Sequence, residues 1–169
     1  MKLRFKKLDE KAVVPSKRKE DMGYDIYGVF DDNIVVLKPG EIIKVGCKIS
    51  SIIPEGYGVI LKERSSLGSK GIAVRAGVID SGYRGEWIVC LNNTSNNTFV
   101  FTDSDKVDIR DINVDTNNNI VKLPMSKAIC QAVLIKMPEE EIEVEEVSSE
   151  EFDTYKSERG IGGFGSTCK

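Results

Sequence analysis

The amino-acid sequence predicts an all-β protein, a jelly-roll-like β-barrel or sandwich. Short apolar runs follow one another along the chain, and turn signals at 38–40, 54–56 and 81–82 separate them. Almost no segment sustains a helical period of 3.6 residues. Many short strands at this spacing are typical of an antiparallel sandwich, jelly roll or barrel. The length of 169 residues fits one domain with a substantial core.

The predicted strands are short and occur in nearly every part of the chain. In the last of them, Ile142 and Val144 alternate with glutamates, which is typical of a strand with one solvated face. One or two helical turns are predicted within 148–156. We therefore divide the chain into a β domain at 1–147 and a C-terminal arm at 148–169. The predicted strands are 3–8, 33–37, 41–50, 57–63, 73–79, 86–92, 98–101, 120–123, 128–137 and 141–146.

A polar segment rich in Asp and Asn, 103–119, interrupts the strand pattern. Strand-like runs flank it, so we predict a long hairpin excursion on the surface. The spacing of Asp103, Asp105 and Asp108 resembles a calcium loop, but the expected Gly and the closing Glu are missing. Calcium binding is therefore disfavoured, and a surface for a protein partner is the better interpretation.

Charge, hydropathy and cysteine spacing exclude several classes of function. The net charge is −3 and the isoelectric point is near 5.2, which argues against a nucleic-acid-binding protein. No apolar span of about 20 residues is present, so we expect no membrane association. Cys47, Cys90, Cys130 and Cys168 are far apart and form no CxxC pair, which disfavours a zinc cluster. Such cysteines, without a secretory signal, fit a reducing cytoplasm.

The sequence contains no histidine, which limits the chemistry that it can perform. Ser-His and Cys-His nucleophilic catalysis, histidine metal sites and imidazole bases are all excluded. Any acid–base catalysis must therefore depend on a carboxylate, Lys, Tyr or Cys.

The C-terminal sequence RGIGGFGSTCK, 159–169, is dense in glycine and so is unsuited to a core. Between the glycines, Arg159 offers a fork for phosphate, Phe164 offers a flat face for a base, and Ser166 and Thr167 offer hydroxyl donors. This combination predicts a flap that closes over a nucleoside polyphosphate. The alternative is a solvated tail without function.

Three internal segments carry single candidate groups. GYDIYG contains Asp25, which is either a turn cap or a ligand-binding carboxylate. KERSSLGSKG places Arg64, Ser65 and Ser66 after a strand, as an anion-binding nest or a polar loop. SKAICQAVL places Gln131 inside a buried strand, where its amide needs a hydrogen bond and serves as a structural bridge or a ligand contact.

A fourth segment, AGVIDSGYRGEW at 76–87, has the form of a hairpin. Asp80 ends an apolar strand, where partial desolvation would raise its basicity, and Tyr83 is placed to stack under a sugar or base. The alternative for Asp80 is an ordinary β-turn residue.

The order of these motifs resembles that of the trimeric dUTPase family over nearly the whole chain. GYDI, PEGYG with ERSSLG, GVIDSGYRGE, AICQ and RGIGGFGST match the five motifs of that family in turn, and the third and fifth matches are very close. The resemblance implies a β jelly roll and a homotrimer with a swapped C-terminal arm. It also implies a dUTP diphosphatase, which hydrolyses dUTP to dUMP and pyrophosphate with Mg²⁺ bound to the triphosphate.

The resemblance assigns catalytic roles to three residues. Asp80 activates the attacking water, Gln131 helps to fix that water or the α-phosphate, and Arg159 grips the γ-phosphate. Asp25 holds the hydration shell of Mg²⁺ rather than the ion itself. The cellular role implied is to keep uracil out of DNA and to supply dUMP for thymidylate synthesis, in the cytoplasm or in the host cytoplasm if the protein is viral.

The same resemblance assigns the substrate contacts. Tyr83 packs on the deoxyribose and excludes a 2′-hydroxyl, while Phe164 stacks over uracil. The uracil edge bonds to the backbone of the strand before Asp80, and the phosphates bind to the nest and the flap. The remaining contacts are Arg64, Ser65, Ser66, Gly77, Val78, Ile79, Gly165, Ser166 and Thr167.

The sequence departs from the family pattern in several places, and two other functions stay open. Ser66 and Cys168 stand where Gly is frequent, Gly82 stands where Asp is frequent, and 126–128 replaces a usual Gly-Asp-Arg. A dCTP deaminase has a related fold, but its catalytic Glu would fall about where Cys90 lies. A nucleotide-gated binding module would use the flap and 103–119 to regulate a protein partner.

Overall fold

The computed structural model describes residues 1–104, 119–138, 140, 142–157 and 160–161. Over these residues the chain is almost entirely β, with two helices of a single turn. The strands are β1 Arg4–Lys7, β2 Tyr24–Ile26, β3 Val35–Leu37, β4 Ile42–Gly46, β5 Ile49–Ile52, β6 Tyr57–Lys62, β7 Ile72–Arg75, β8 Val78–Ile79, β9 Ile88–Asn93, β10 Thr98–Phe101, β11 Ile120–Leu123 and β12 Cys130–Lys136; the helices are α1 Ser65–Gly68 and α2 Ser149–Phe152.

The strands that the structure describes form four small sheets, with the orders β1-β5, β11-β10-β3, β2-β12-β6-β8 and β4-β9-β7. One apolar core joins them, because each sheet turns a face inward. Ile26, Leu37, Val45, Trp87 and Phe99 represent that core, and each is at most 4% exposed. The predicted all-β class is therefore confirmed.

Two predicted strands are each divided in two by a residue with a left-handed backbone. The predicted strand 41–50 breaks between β4 and β5 at Lys48, where φ is 51°. The predicted strand 73–79 breaks between β7 and β8 at Ala76, where φ is 52°. An extended ladder cannot continue through a positive φ, so the prediction of continuous strands is wrong at both positions.

The hairpin predicted at 76–87 is wrong because its two arms do not pair with each other, although the turn between them is present. The backbone N–H of Tyr83 donates to the Asp80 carbonyl at 3.1 Å, which closes a β-turn. β8 pairs with β6, however, while β9 pairs with β4 and β7. The segment therefore leaves one sheet and enters another, and the loop between them stands at the boundary.

The predicted hairpin excursion at 103–119 is also wrong in its topology. The strands that it joins, β10 and β11, pair in parallel, with Phe99 opposite Val121. Parallel neighbours require a crossover connection of a dozen or more residues, whereas a hairpin joins antiparallel strands. The length of this segment therefore has a structural reason. Residues 105–118, with most of the predicted protein-partner surface, lie outside the described residues.

The chain divides into two compact units, 1–137 and 138–169. In the second unit, the predicted helical turn is confirmed as α2, where the Ser148 hydroxyl accepts from the Glu151 N–H at 3.2 Å. The strand predicted at 141–146 is wrong, since 142–148 have no regular structure. No helix in the described ranges is long and apolar enough to span a bilayer.

Candidate active site

The register of one sheet places Asp25, Gln131 and Lys62 side by side. Gln131 on β12 lies opposite Asp25 on β2 and opposite Lys62 on β6. Directly opposed residues project from the same face of a sheet, so these polar groups share a surface. Gly23 permits this arrangement, because a Cβ there would lie 2.5 Å from the Gln131 Oε1.

Arg64 follows β6 and turns back over the same surface. Its Nε lies 3.1 Å from the Asp25 Oδ1, and its Nη1 donates to the Ala128 carbonyl at 3.2 Å. About a third of the Arg64 side chain and 39% of the Asp25 side chain are exposed. The two bonds fix the plane of the guanidinium while leaving part of it open to a ligand.

The segment after Arg64 is a helical turn rather than the polar loop considered as an alternative. Arg64 is the N-cap of α1 and has an extended backbone, and Ser65 and Ser66 open the helix with exposed side chains. The Leu67 and Gly68 N–H groups donate to the Arg64 carbonyl at 3.0 and 2.8 Å, so Ser65 and Ser66 carry the N–H groups of α1 that have no partner within the helix. The anion nest predicted for these residues stays a prediction.

A pocket of about 230 Å³ lies beside Arg64 and is cationic. Lys70 and Lys127 line it together with Arg64 and Ser66, and none of the described residues that line it carries a carboxylate. The Lys70 Nζ donates to the Ser66 carbonyl at 3.1 Å. The arrangement suits a polyanion more than a neutral or cationic ligand.

Gln131 makes the hydrogen bond that its half-buried position demands. Its Nε2 donates to the Glu63 carbonyl at 3.1 Å. The pKa of the Glu63 carboxyl is lowered by a hydrogen bond from the backbone N–H of Glu63 itself. The Lys62 ammonium, whose Nζ lies 3.3 Å from the Glu63 Oε1, lowers it further. Gln131 thus bridges β12 to the residue after β6, and its Oε1 lies against Gly23; the predicted ligand contact stays a prediction.

Cys130, beside Gln131, is fully buried, and burial raises the pKa of its thiol well above the ordinary range. A protonated, enclosed thiol is a poor nucleophile. Cys130 therefore belongs to the packing of the site rather than to its chemistry.

A second pocket, of about 170 Å³, lies around Asp80 and Tyr83. The Tyr83 hydroxyl donates to the Glu86 carbonyl at 2.9 Å, and 44% of Tyr83 is exposed. Asp80 is exposed as well, so the predicted partial desolvation is wrong within one chain. The residues lining this pocket are Ala76, Val78, Ile79, Asp80, Tyr83, Glu86, Trp87 and Ile88.

The predicted uracil-binding backbone at 77–79 lies on an edge strand. β8 closes one side of its sheet, so its outer backbone groups are open to a ligand. The Gly77 carbonyl accepts from the Leu61 N–H at 2.7 Å, and a Cβ on Gly77 would lie 2.7 Å from the Leu61 carbonyl. Val78 is 73% exposed and Ile79 is buried.

Within one chain, the predicted residues thus form two groups. Asp25, Arg64 and Gln131 are brought together on one surface, while Asp80 and Tyr83 lie in the other pocket. No hydrogen bond or ion pair between described residues links the side chains of the two groups. The predicted flap residues lie outside the described residues: Arg159, Phe164, Gly165, Ser166 and Thr167.

Sequence reasoning missed two supports of the site, Gly23 and Glu86. Gly23 makes room for Gln131, and Glu86 lines the pocket of Asp80 and Tyr83. The glycine is visible two residues before Asp25, but its contact with Gln131 depends on the pairing of β2 with β12.

Comparison with known proteins identifies the family. The sequence profile of the dUTPase family matches residues 9–108. The deoxyuridine 5′-triphosphate nucleotidohydrolase of Nautilia profundicola is 37% identical over the whole of both chains. The chain belongs to the dUTPase family. The human mitochondrial enzyme of the same name is 33% identical over the whole of this chain, which spans 56% of the human protein.

Solved dUTPase structures share the fold. The Staphylococcus bacteriophage 80alpha dUTPase with dUpNHpp has a TM-score of 0.67 and 27% identity, over 98% of each chain. A mutant dUTPase from phage phi11 of S. aureus, with a structural Mg(II) ion, has a TM-score of 0.66 and 24% identity, over 87% of this chain and 98% of that one. The predicted family and enzyme class, a dUTP diphosphatase, are therefore confirmed. The dCTP deaminase alternative is set aside, since β9 carries no Glu.

Proposed function

We propose that this dUTPase hydrolyses dUTP to dUMP and pyrophosphate by attack of water on the α-phosphate. The observation that carries the proposal is the presence of two complementary half-sites. A cationic surface around Arg64 suits a triphosphate, and a pocket beside an open strand edge suits a base and sugar. The nucleotidohydrolase name of the Nautilia relative supports the same reaction.

The proposed catalytic base is Asp80. It is an exposed carboxylate at the end of β8, next to the pocket that would hold the nucleoside. Because the chain has no histidine, a carboxylate is the natural group to take a proton from water near neutral pH. Gln131 would fix the water or the α-phosphate from the neighbouring surface.

Substrate selection would depend on the pocket of Asp80 and Tyr83. The open backbone of 77–79 would pair with the uracil edge, so that cytosine would leave polar groups unpaired. The Tyr83 ring would pack on the deoxyribose and leave no room for a 2′-hydroxyl. Its hydrogen bond to the Glu86 carbonyl supports a fixed ring position.

The triphosphate would bind to Arg64, Ser65 and Ser66. The fixed, partly exposed guanidinium and the N–H groups of Ser65 and Ser66 would supply donors to an anion with little reorganisation. The flap would close over the substrate, with Phe164 and Gly165 at the uracil and with Arg159, Ser166 and Thr167 at the γ-phosphate. Closure would exclude bulk water and orient the reacting groups.

The chain's own groups suit Mg²⁺ only through water. No cluster of three or more acidic, Cys or His side chains that could hold a metal occurs among the described residues. Asp25 is a partly exposed carboxylate at 39%, next to the cationic pocket, which fits a contact to the water shell of a Mg²⁺–triphosphate. When bound, the ion would neutralise charge on the phosphates.

The active site would be shared within a homotrimer. The two half-sites are separate within one chain, so we propose that Arg64 and Gln131 of one subunit meet Asp80 and Tyr83 of another. The flap would come from the third subunit. A homotrimer has cyclic symmetry, so the same two surfaces would meet at each of its three interfaces.

The C-terminal arm, 148–169, would be swapped onto a neighbouring subunit because the acidic segment that precedes it would bind there. Ile142 is 70% and Val144 96% exposed, although their pattern is that of a strand with one buried face. β1 pairs only with β5 in the described chain and carries Arg4, Lys6 and Lys7. A pocket of about 700 Å³ adjoins it, and its charged lining residues are Lys2, Arg4, Arg84 and Glu55. We propose that the acidic segment of one subunit seats on this basic surface of its neighbour.

We further propose the cellular setting. The enzyme would act in the cytoplasm, or in the host cytoplasm if viral, to limit uracil in DNA and to supply dUMP for thymidylate synthesis. No nucleic acid or membrane would take part. The connection 103–119 would offer a surface to a protein partner, and this stays a proposal because 105–118 lie outside the described residues.

Pyrophosphate release from dUTP, compared with UTP, dTTP and dCTP, tests the reaction and its selectivity. Equal turnover of all four would contradict the proposal. The shared site has its own test. Asp80→Asn and Gln131→Ala subunits, each inactive alone, should recover activity when unfolded and refolded together, because about a quarter of randomly mixed sites would hold both native groups. No recovery would place the site within one chain.

A further inference from the structure

The loop 80–87, which carries Asp80 and Tyr83, is bound to the turn between β4 and β5. The Trp87 N–H donates to the Ile49 carbonyl at 2.9 Å, and the Cys47 N–H donates to the Trp87 carbonyl at 2.9 Å. The Ser50 hydroxyl donates to the Arg84 carbonyl at 2.6 Å. The loop therefore takes its position from this turn and from the first residues of β5.

The Glu86 carboxylate also contacts the turn between β4 and β5, at Lys48. Its Oε1 accepts from the backbone N–H of Lys48 at 3.1 Å and lies 3.6 Å from the Lys48 Nζ. Lys48 is the residue with φ of 51°, so the carboxylate satisfies a donor at a strained turn. A Cβ on Gly46 would collide with the same oxygen, so the glycine leaves room for the carboxylate.

The backbone of Glu86 holds the other side of the contact. Its carbonyl accepts from the Tyr83 hydroxyl at 2.9 Å. The Tyr83 ring packs on Gly85, where a Cβ would collide with the phenol oxygen. Glu86 is thus linked to the strained turn by its side chain and to the Tyr83 ring by its main chain, and it lines the same pocket as both Asp80 and Tyr83.

We propose that Glu86 is a positioning residue for substrate selectivity: its carboxylate, bound to the Lys48 N–H, fixes the Tyr83 ring where it rejects a ribonucleotide. The inference rests on the proposed function, since it takes the Tyr83 ring as the group that excludes a 2′-hydroxyl. Glu86 need not touch the substrate. Loss of its carboxylate would leave the bonds of Trp87 and Arg84 in place but loosen the loop at Glu86, and the ring would then sample positions that admit a ribose.

The test is the ratio of kcat/KM for dUTP to kcat/KM for UTP. Glu86→Leu keeps the size of the side chain and removes the acceptor, so the ratio should fall about tenfold. Glu86→Gln keeps an oxygen that can accept from Lys48 and should restore the ratio to within about twofold of the native one. A fall of the same size in Glu86→Gln would overturn the role given to the hydrogen bond.

Glu41→Leu is the matched control. Its carboxylate also accepts a backbone N–H of a lysine turn, from Lys38 at 2.8 Å, but this turn lies outside the pocket of Tyr83. It should lower the melting temperature as Glu86→Leu does and leave the ratio unchanged. An equal fall in the ratio would show that any loss of a turn bond acts generally, and would overturn the proposal.

A second route covers the case in which Glu86→Leu does not fold. Gly46→Ala displaces the Glu86 carboxylate without removing it, and the ratio should again fall. An unchanged ratio in folded Gly46→Ala would overturn the inference. If the native enzyme itself does not distinguish dUTP from UTP, the proposed function fails; if it does and the Glu86 variants keep the ratio, only this inference fails.

Discussion

Replacing Gly23 with Ala should disable Gln131 without touching it chemically. The new Cβ would lie 2.5 Å from the Gln131 Oε1, 3.0 Å from its Cβ and 3.1 Å from its Cδ. Ordinary contact requires the amide to retreat by roughly 1 Å. That movement breaks the bond of 3.1 Å between Nε2 and the Glu63 carbonyl.

The structural cost and the catalytic cost should differ in size. Loss of one partly buried hydrogen bond destabilises the fold by about 1 kcal/mol. For a chain of this size, that lowers Tm by about 2–4 °C. If Gln131 positions the water or the α-phosphate, a displacement near 1 Å should lower kcat about 100-fold.

The assay is steady-state pyrophosphate release with saturating dUTP, beside thermal unfolding of the same sample. Gly58→Ala is the control, because its Cβ would meet only the Ile79 carbonyl at an ordinary 3.7 Å. Gly23→Ala and Gln131→Ala should not be additive, since both remove the same group from its place. Native kcat in Gly23→Ala, together with the lowered Tm, would refute the role given to Gln131.

The remaining predictions concern separate features. Asp80→Asn should lower kcat about 1000-fold and leave the Kd for a non-hydrolysable dUTP analogue nearly unchanged by calorimetry; normal turnover would exclude Asp80 as the base. Removal of 159–169 should leave a trimer with an unchanged circular dichroism melt and almost no turnover, whereas unfolding would make the flap structural. Asn93→Ala should cost about 2–3 kcal/mol in urea unfolding, because the fully buried amide donates to the Leu37 and Asn97 carbonyls at 3.1 and 2.7 Å; a cost near zero would mean that water replaces it. Burial, and then the Glu86 charge, raises the pKa of the Cys47 thiol from 9.0 to about 12, so it should resist a thiol-specific reagent at pH 8 until urea is added. Because folding raises the pKa of Cys47, the unfolded chain releases the thiol proton at a lower pH than the folded chain. The contribution of Cys47 to the free energy of unfolding is therefore present below pH 9 and declines toward pH 12.

The sequence predicted the fold class and the bounds of some strands well. The apolar runs predicted strands, and β10 and β11 have the predicted bounds of 98–101 and 120–123. The half-buried amide of Gln131 was expected to be bonded, and it is. These features depend on nearby residues, which a sequence pattern records directly.

The features that were missed depend on distant parts of the chain. The residue types of Lys48 and Ala76 do not predict a positive φ, because both ordinarily avoid it. The apolar alternation at 142–146 was real, but a strand also needs a partner edge, and none is supplied within the described chain. The Glu86 carboxylate contacts Lys48, which lies 38 residues earlier in the chain, in the turn between β4 and β5.

The parallel pairing of β10 and β11 has a practical consequence for the segment between them. After β10 the chain must travel back along the full length of that strand, roughly 13 Å at 3.3 Å per residue, before β11 can begin beside it. A tight two-residue link cannot cover that return. To ask whether the segment recruits another protein, it should therefore be exchanged for an inert Gly-Ser tether of comparable reach, not excised, so that the barrel keeps β11 while the recognition surface is gone.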